Sequence, residues 1–395
     1  MSDPTDPLGW IADDLDRIAA VGRYRRLRHH DSPAAPWLAL ATPSGVRRVL
    51  HLCSNGYLGL ADDPRVIAAS AAAAERWGTG TGSARLVTGA QAPHRDLEEA
   101  LAAFKQFPAA LLYSSGYMAN LGLVTALVGR GDTVVSDELN HASIIDACRL
   151  ARAEVRVFRH GDADHARALL ADAPGRRVLV TDGVFSMDGD LAPLPDLCDA
   201  AEAHGAAVVV DDAHGSGVVG PDGRGTVAAL GCEGRVHAVV ATLSKSLGST
   251  GGYVAGSTQL VEWLRNTSRP FIFDTALGAP AVAAAHTALD IALAEPDRRE
   301  RAVAGARRLA AALAAAGHDV PDPQAAIVPI LIGSDRAAMA AMEHLLDRDV
   351  LAVAIRPPTV PAGTARLRAT VMASHTDADI DLAIGAFTSA LDVAA

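Results

Sequence analysis

ATLSKSLGSTGGYVAG, residues 241–256, sets Lys245 just past the apolar run Val236–Leu243, at the entrance to a Gly/Ser-rich turn. A lysine that ends a buried strand is costly unless its charge is used or removed, and burial lowers its pKa and frees the amine as a nucleophile. On its own, such a lysine usually reaches solvent along its aliphatic stem. A second stretch changes the reading. AAVVVDDAH (206–214) ends another apolar run with Asp211 and, three residues on, His214.

Working outward from these two runs, short β-rich segments recur at Ala110–Tyr113, Thr133–Ser136, Val155–Phe158, Arg177–Thr181, Ala206–Val210, Val236–Ala241 and Gly252–Ala255. Alanine-rich helical stretches such as Asp96–Phe104 and Leu194–Ala203 separate most of them. This alternation predicts an α/β fold with a mainly parallel central sheet and helices on both faces. Such sheets bind ligands beyond the carboxyl ends of their strands, where Asp211 and Lys245 fall. An acid and a lysine placed there point to pyridoxal 5'-phosphate (PLP): the lysine forms a Schiff base and the acid keeps the pyridine nitrogen protonated.

The rhythm changes after about residue 285. Helices at Ala279–Ala294 and Arg298–Ala316 lead to strands near Ala326–Ile332, Ala352–Ile355 and Ala365–Val371, which reads as a smaller α+β unit. Residues 8–30 read as an amphipathic helix ending in RYRRLRHH, and Trp37–Leu40 with Arg47–Leu52 as a hairpin around Pro43-Ser44-Gly45. The expected divisions are 1–52 (helix and hairpin), 53–285 (large PLP-binding α/β domain) and 286–395 (small α+β domain).

The chain has 395 residues and a net charge of −11, against the basic footprint of a nucleic-acid binder. The start, MSDPTDPLGWIADDLD, is acidic and has no apolar signal core, and no run approaches a bilayer span, so the expectation is a cytoplasmic protein without a membrane segment. Cys53, Cys148, Cys198 and Cys232 are widely spaced and point to reduced thiols, not a zinc site or disulfide framework. Fourteen histidines include no HExxH or comparable metal spacing. GTGTGSARLVTG (78–89) follows a helical stretch and fits no GxGxxG window, which argues against a dinucleotide site.

Eight motifs follow in order: SNGYLGL (54–60), GTGTGSARLVTGAQAPHRDLE (78–98), YSSGYMAN (113–120), SDELNHASIIDACR (136–149), TDGVFSMDGDLAPL (181–194), VDDAHGSGVVG (210–220), TLSKSLGSTGG (242–252) and IRPPTVPAGTARLR (355–368). In this order and from about residue 8 to the C-terminus, the chain resembles the α-oxoamine synthase family of fold-type-I PLP enzymes. The resemblance implies a homodimer with active sites at the interface and a decarboxylative condensation of an amino acid with an acyl thioester. IRPPTVPAGTARLR most resembles the branch that makes 8-amino-7-oxononanoate from L-alanine and pimeloyl-CoA or pimeloyl-ACP, a step of biotin biosynthesis.

The resemblance also implies roles. Lys245 holds the cofactor and moves the substrate proton, Asp211 pairs with the pyridinium, His214 bonds the ring oxygen, and His141 of LNHAS stacks on the ring. Ser115, Gly116 and Tyr117, at a strand-to-helix turn before Met118–Leu127, fit the phosphate, because a helix N-terminus presents free N–H groups to an anion. Thr242 and Ser244 add hydroxyls, Thr275 reaches across the dimer, and Ser186 contacts the cofactor. Asn55 and Asp182 match substrate-facing or supporting positions. Arg356 is the carboxylate clamp, since a guanidinium grips a carboxylate bidentately and keeps its proton. Thr359 and Arg25 match substrate contacts, although Arg23, Arg26 and Arg28 blur the register at Arg25, and this basic stretch could equally receive an acidic CoA or carrier-protein tail.

The chain departs from the family at Asp274, where a small Ser or Thr is common, at Gly56, which replaces Asp or Asn, and in the order of Ser83 and Ala84. Other readings remain open at this level: an α-oxoamine synthase using glycine, serine or another thioester, a fold-type-I aminotransferase or PLP lyase, and a PLP-binding regulatory module. The last usually carries a DNA-binding domain, and the roughly 50 residues before SNGYLGL show no helix-turn-helix pattern.

Overall fold

The computed structural model describes residues 6–42, 45–357 and 359–394; Pro43 and Ser44 of the expected hairpin turn, and Pro358 of the IRPPTVP segment, lie outside the described residues. The strands, in chain order, are β1 (Trp37–Thr42), β2 (Gly45–His51), β3 (Ala109–Tyr113), β4 (Thr133–Asp137), β5 (Glu154–Phe158), β6 (Arg177–Asp182), β7 (Ala207–Asp211), β8 (Ala238–Thr242), β9 (Gly252–Gly256), β10 (Ile327–Gly333), β11 (Val350–Leu351), β12 (Val353–Ile355) and β13 (Ala365–Thr370).

Seven of them form the central sheet in the order β3-β9-β8-β7-β6-β4-β5. Only β9 runs against its neighbours β3 and β8; the contacts among β4 to β8 are all parallel. Parallel strands covered by helices on both faces need apolar side chains on both, hence runs such as Val208–Val210 and Ala238–Ala241. The period of two sorts them: Val208 and Val210 face one core cluster, with Phe185 and Leu197, while Val209 and Val240 face another, with Leu123 and Ile144. Edge strand β5 is mostly exposed and carries Arg156, which discourages pairing with another chain.

Registry carries the site. β6 and β7 end level, with Asp182 opposite Asp211, and β8 places Val240 beside Asp211. Three adjacent strands therefore deliver Asp182, Asp211 and Thr242 to one carboxyl edge.

The smaller part contains the sheet β10-β13-β12 and a second sheet, β1-β2-β11, in which the N-terminal hairpin pairs with β11. Leu50 and Leu52 share a core with Leu309, Val328, Leu345, Leu367 and Phe387, so the first strands fold with the last third of the chain. Helix Ala279–Ala294 packs in the large core through Val282, Ala285 and Leu289.

The N-terminal helix is shorter than expected: it covers Trp10–Ala20, not 8–30. Gly22 takes a left-handed conformation (φ 70°) that ends it. Beyond it, continued helix would set Arg23 against Arg26 and Arg25 against Arg28, like-charged pairs at i,i+3. No residue of this helix is buried; Ile11, Leu15 and Ile18 are exposed.

A buried ion pair locks the loop after β7. Lys105 Nζ lies 2.7 Å from Asp212 Oδ2 and 2.6 Å from the Arg224 carbonyl oxygen. Asp212 Oδ1 accepts from the Thr226 amide (3.1 Å) and hydroxyl (2.8 Å). The fit requires glycine: at Gly225 (φ 96°) a Cβ would stand 1.6 Å from Asp212 Oδ2. This clamp sits one residue from Asp211 and two from His214. Removing one partner leaves a buried charge uncompensated. Lys105→Met is expected to destabilise the protein by about 3–5 kcal/mol, read as a lower urea midpoint; an unchanged midpoint would show that the clamp is dispensable.

Candidate active site

The strand-end residues meet in one cluster. Lys245 Nζ lies 2.9 Å from His214 Nε2, and His214 Nδ1 lies 2.6 Å from the Tyr57 hydroxyl. Burial holds the Lys245 pKa below the ordinary lysine value, opposed by the carboxylates of Asp211 and Asp182. His214 is pushed well below the histidine range, first by burial and then by the charge of Lys245, which makes it a neutral imidazole. The chain contains only two lysines, and the other, Lys105, is sealed in the ion pair with Asp212. A nucleophilic amine from a lysine therefore has one source.

Asp211 is held from two sides: Oδ2 accepts from Asn120 Nδ2 at 2.6 Å and Oδ1 from the Ala213 amide at 3.0 Å. Each carboxylate oxygen keeps a further lone pair. His141 caps the helix Ala142–Ala151, and its backbone amide donates to Asp182 Oδ2 at 3.1 Å. Burial, then repulsion by Asp211, raises Asp182 well above the carboxylate range.

The expected phosphate turn is formed as a helix start. Ser115 is the N-cap of Gly116–Leu127, with its Oγ accepting from the Met118 amide at 3.1 Å. Thr242 Oγ1 is 2.7 Å from Ser244 Oγ. The turn packs closely on β9 and β8: a Cβ on Gly252 would lie 2.4 Å from the Gly116 nitrogen, and one on Gly116 3.2 Å from Thr242 Cβ. The Tyr117 ring leaves this turn to donate its hydroxyl to Asp146, so only its backbone belongs to the turn.

Asn55, Ser186 and an arginine not singled out in the sequence form the far wall. Arg368 donates from Nε to the Ser186 carbonyl at 2.5 Å and from Nη2 to Asn55 Oδ1 at 3.0 Å. Its charge reaches Lys245, His214 and Tyr57. Arg356 points elsewhere: its Nη1 donates to the Gly22 carbonyl at 2.6 Å. It borders a cavity of about 170 Å³ with Arg23, Arg25 and Thr359. Thr275 is exposed, bridges to Ala84 and borders a small recess with Arg85, Ser114 and Asp274; no contact joins it to the Lys245 cluster among the described residues.

His141, Ser186 and Thr359 line a larger cavity of about 910 Å³, with Leu139, Ile145, Phe185, Met187 and Val360 as apolar wall. His160, also missed in the sequence, braces this wall. Its Nδ1 is 3.1 Å from Asp137 Oδ1 and its Nε2 2.9 Å from Asp190 Oδ2, and its ring meets Phe185 edge-on at 4.3 Å.

The residues fit PLP. The site combines an amine of lowered pKa, a carboxylate with free lone pairs, an imidazole beside the amine, and a helix N-terminus flanked by two hydroxyls. Glycines line the turn where a Cβ would collide.

Comparison with known proteins agrees with this chemistry. Residues 47–387 match the family model "Aminotransferase class I and II". An 8-amino-7-oxononanoate synthase from Anaeromyxobacter dehalogenans is 48% identical over 385 residues, covering 97% of this chain and 96% of that protein. A serine palmitoyltransferase solved with PLP as internal aldimine superimposes with a TM-score of 0.92 at 34% identity, over 99% of each chain. An 8-amino-7-oxononanoate synthase from Francisella tularensis shares the fold, with a TM-score of 0.75 at 24% identity over 87% of this chain and 98% of that one.

The bracing histidine has a pH signature. Asp137, and then Asp190, raise the His160 pKa from 6.5 to about 10. A raised pKa adds stability that is complete below the unfolded value and lost as pH climbs through the folded one. His160→Gln should therefore cost most stability below about pH 6.5, and its deficit should shrink between pH 6.5 and 10. A deficit in urea midpoint that is flat across that window would contradict the cationic brace.

Proposed function

We propose an activity for a chain that belongs to the class I and II aminotransferase family, and within it to the α-oxoamine synthases. It is a PLP-dependent acyltransferase that joins L-alanine to a pimeloyl thioester, releasing 8-amino-7-oxononanoate, CO2 and free thiol in biotin biosynthesis. The observation that carries this reading is the convergence of Lys245, the neutral His214 and the anchored Asp211 at one sheet edge.

Bound PLP supplies the electron sink for the carbanion at the alanine α-carbon. Lys245 is its attachment point, and Asp211 accepts the ring N–H. His214 serves the ring oxygen and His141 the ring face. Ser115, the Gly116 and Tyr117 amides, Thr242 and Ser244 serve the phosphate, with Ser186 as a further contact. With PLP bound, Lys245 Nζ, an amine of lowered pKa, would be suited to take the alanine α-proton and to return a proton after CO2 leaves.

The alanine carboxylate needs a cation. Arg368 already faces the cluster, while Arg356 must exchange the Gly22 carbonyl for substrate. We assign both to the carboxylate, with Asn55, Thr359 and Arg25 as further substrate contacts. The apolar cavity beside His141 takes the acyl chain, whose thiol is CoA or acyl carrier protein. A second copy of the chain completes the site through Thr275, which is exposed in the single protomer. The protein acts in the cytoplasm without nucleic acid or membrane partner; among the described residues no helix is long and apolar enough to cross a membrane.

Purified protein should release free thiol from pimeloyl-CoA or pimeloyl-ACP only when an amino acid is added, and fastest with L-alanine. One methyl separates alanine from glycine, worth about 1–3 kcal/mol, so glycine should be slower by about 10–200-fold. Faster turnover with glycine, serine or another acyl thioester would overturn the substrate assignment. Lys245→Ala should lose more than the ~10²–10⁴-fold of a general base alone, because attachment is lost as well. Arg356→Ala should raise the alanine KM about 10–100-fold, the worth of a charged hydrogen bond; an unchanged KM would leave the carboxylate to Arg368.

A further inference from the structure

A chain of hydrogen bonds joins Asp211 and His141 through Asn120, which anchors Asp211, and Ser143. Asn120 Nδ2 donates to Asp211 Oδ2 at 2.6 Å and to Ser143 Oγ at 2.9 Å. Ser143 Oγ lies 2.8 Å from His141 Nδ1, and the Ser143 backbone amide donates to the same nitrogen at 3.2 Å. Asn120 and Ser143 are each about 1% exposed, so water does not compete for these bonds.

Counting protons leaves one arrangement. The Asn120 amide spends both N–H groups, one on a carboxylate and one on the serine oxygen. Having accepted that bond, the Ser143 hydroxyl has its own proton to donate, and its neighbour is His141 Nδ1. A backbone N–H also points at Nδ1, which can only receive it as a lone pair. Nδ1 therefore carries no proton, and in a neutral imidazole the proton is on Nε2. Nε2 has no partner among the described residues, and the ring lines the 910 Å³ cavity.

We infer that Ser143 and Asn120 are positioning residues that hold His141 as the neutral Nε2–H imidazole while orienting the Asp211 carboxylate. His141 thus meets the substrate as a hydrogen-bond donor and does not carry the transferred proton, which stays with Lys245. The charged and titratable groups around His141 are Asp211, Asp182, Lys245 and His214. Burial, then Lys245, holds the His141 pKa down against the pull of Asp211, in the same sense as the bonding. The consequence for the cofactor rests on the PLP reading of Asp211; the state of His141 does not.

The test is a long-range ¹⁵N–¹H spectrum of the PLP-loaded protein labelled at histidine, with the His141 signal identified by its loss in His141→Asn. A bare Nδ1 and a protonated Nε2, unchanged from pH 8 to 6, are expected. An Nδ1–H tautomer or an imidazolium in that range would overturn the inference. Ser143→Ala should mix the tautomers and raise the His141 titration midpoint by about one pH unit, the worth of one hydrogen bond. Ser143→Thr should restore the parent pattern. Asn120→Ala should move both the His141 signal and the pH midpoint of the visible band of Lys-bound PLP. Movement of the band alone would show that no chain links the two ends. Should Ser143→Ala fail to fold, the parent spectrum and Asn120→Ala decide. A protein with no visible band would sink the PLP reading, whereas the wrong tautomer would sink only the relay.

Discussion

The structure depends on a half-buried amine set near a carboxylate kept in place. Burial favours the neutral form of Lys245 and the nearby acids oppose it. Asp211 would itself be costly at a buried strand end without its two donors. The fold meets both needs by ending adjacent parallel strands level and turning their loops with glycine. One residue further, the Lys105–Asp212 pair uses the only other lysine as a clamp. The two lysines thus divide the work: one charge is neutralised for structure, the other is freed for chemistry.

Parts of this were legible in the chain alone. Each central strand lies within two residues of its expected limits, and helix Ala279–Ala294 matches throughout. Strands buried on both faces are apolar without interruption, and breaks in such runs are easy to read. The N-terminal helix was overextended because its arginines keep helical spacing although residues 21–30 are all exposed. Pairing of the first hairpin with β11 was not readable, since partners about 300 residues apart leave no local signal.

The site divides in the same way. Residues that carry chemistry, Lys245, Asp211, His214 and His141, stand out by type at strand ends. Residues that hold them do not. Tyr57, Asn120 and Ser143 lie inside quoted motifs, but their roles depend on which atom faces which, and only coordinates show that. Arg368 illustrates the limit: of three arginines in IRPPTVPAGTARLR, the family resemblance favoured Arg356, yet the inward face of β13 turns Arg368 toward the lysine. His160 carried a weak signal, because a histidine just past edge strand β5 resembles an ordinary surface residue.

The most direct test of the account is chemical. Treating the PLP-loaded protein with borohydride and mapping its peptides by mass locates the amine that holds the cofactor. The account predicts a phosphopyridoxyl mass on the peptide containing Lys245 and an unmodified Lys105. A label on Lys105, or none on either lysine, would contradict it.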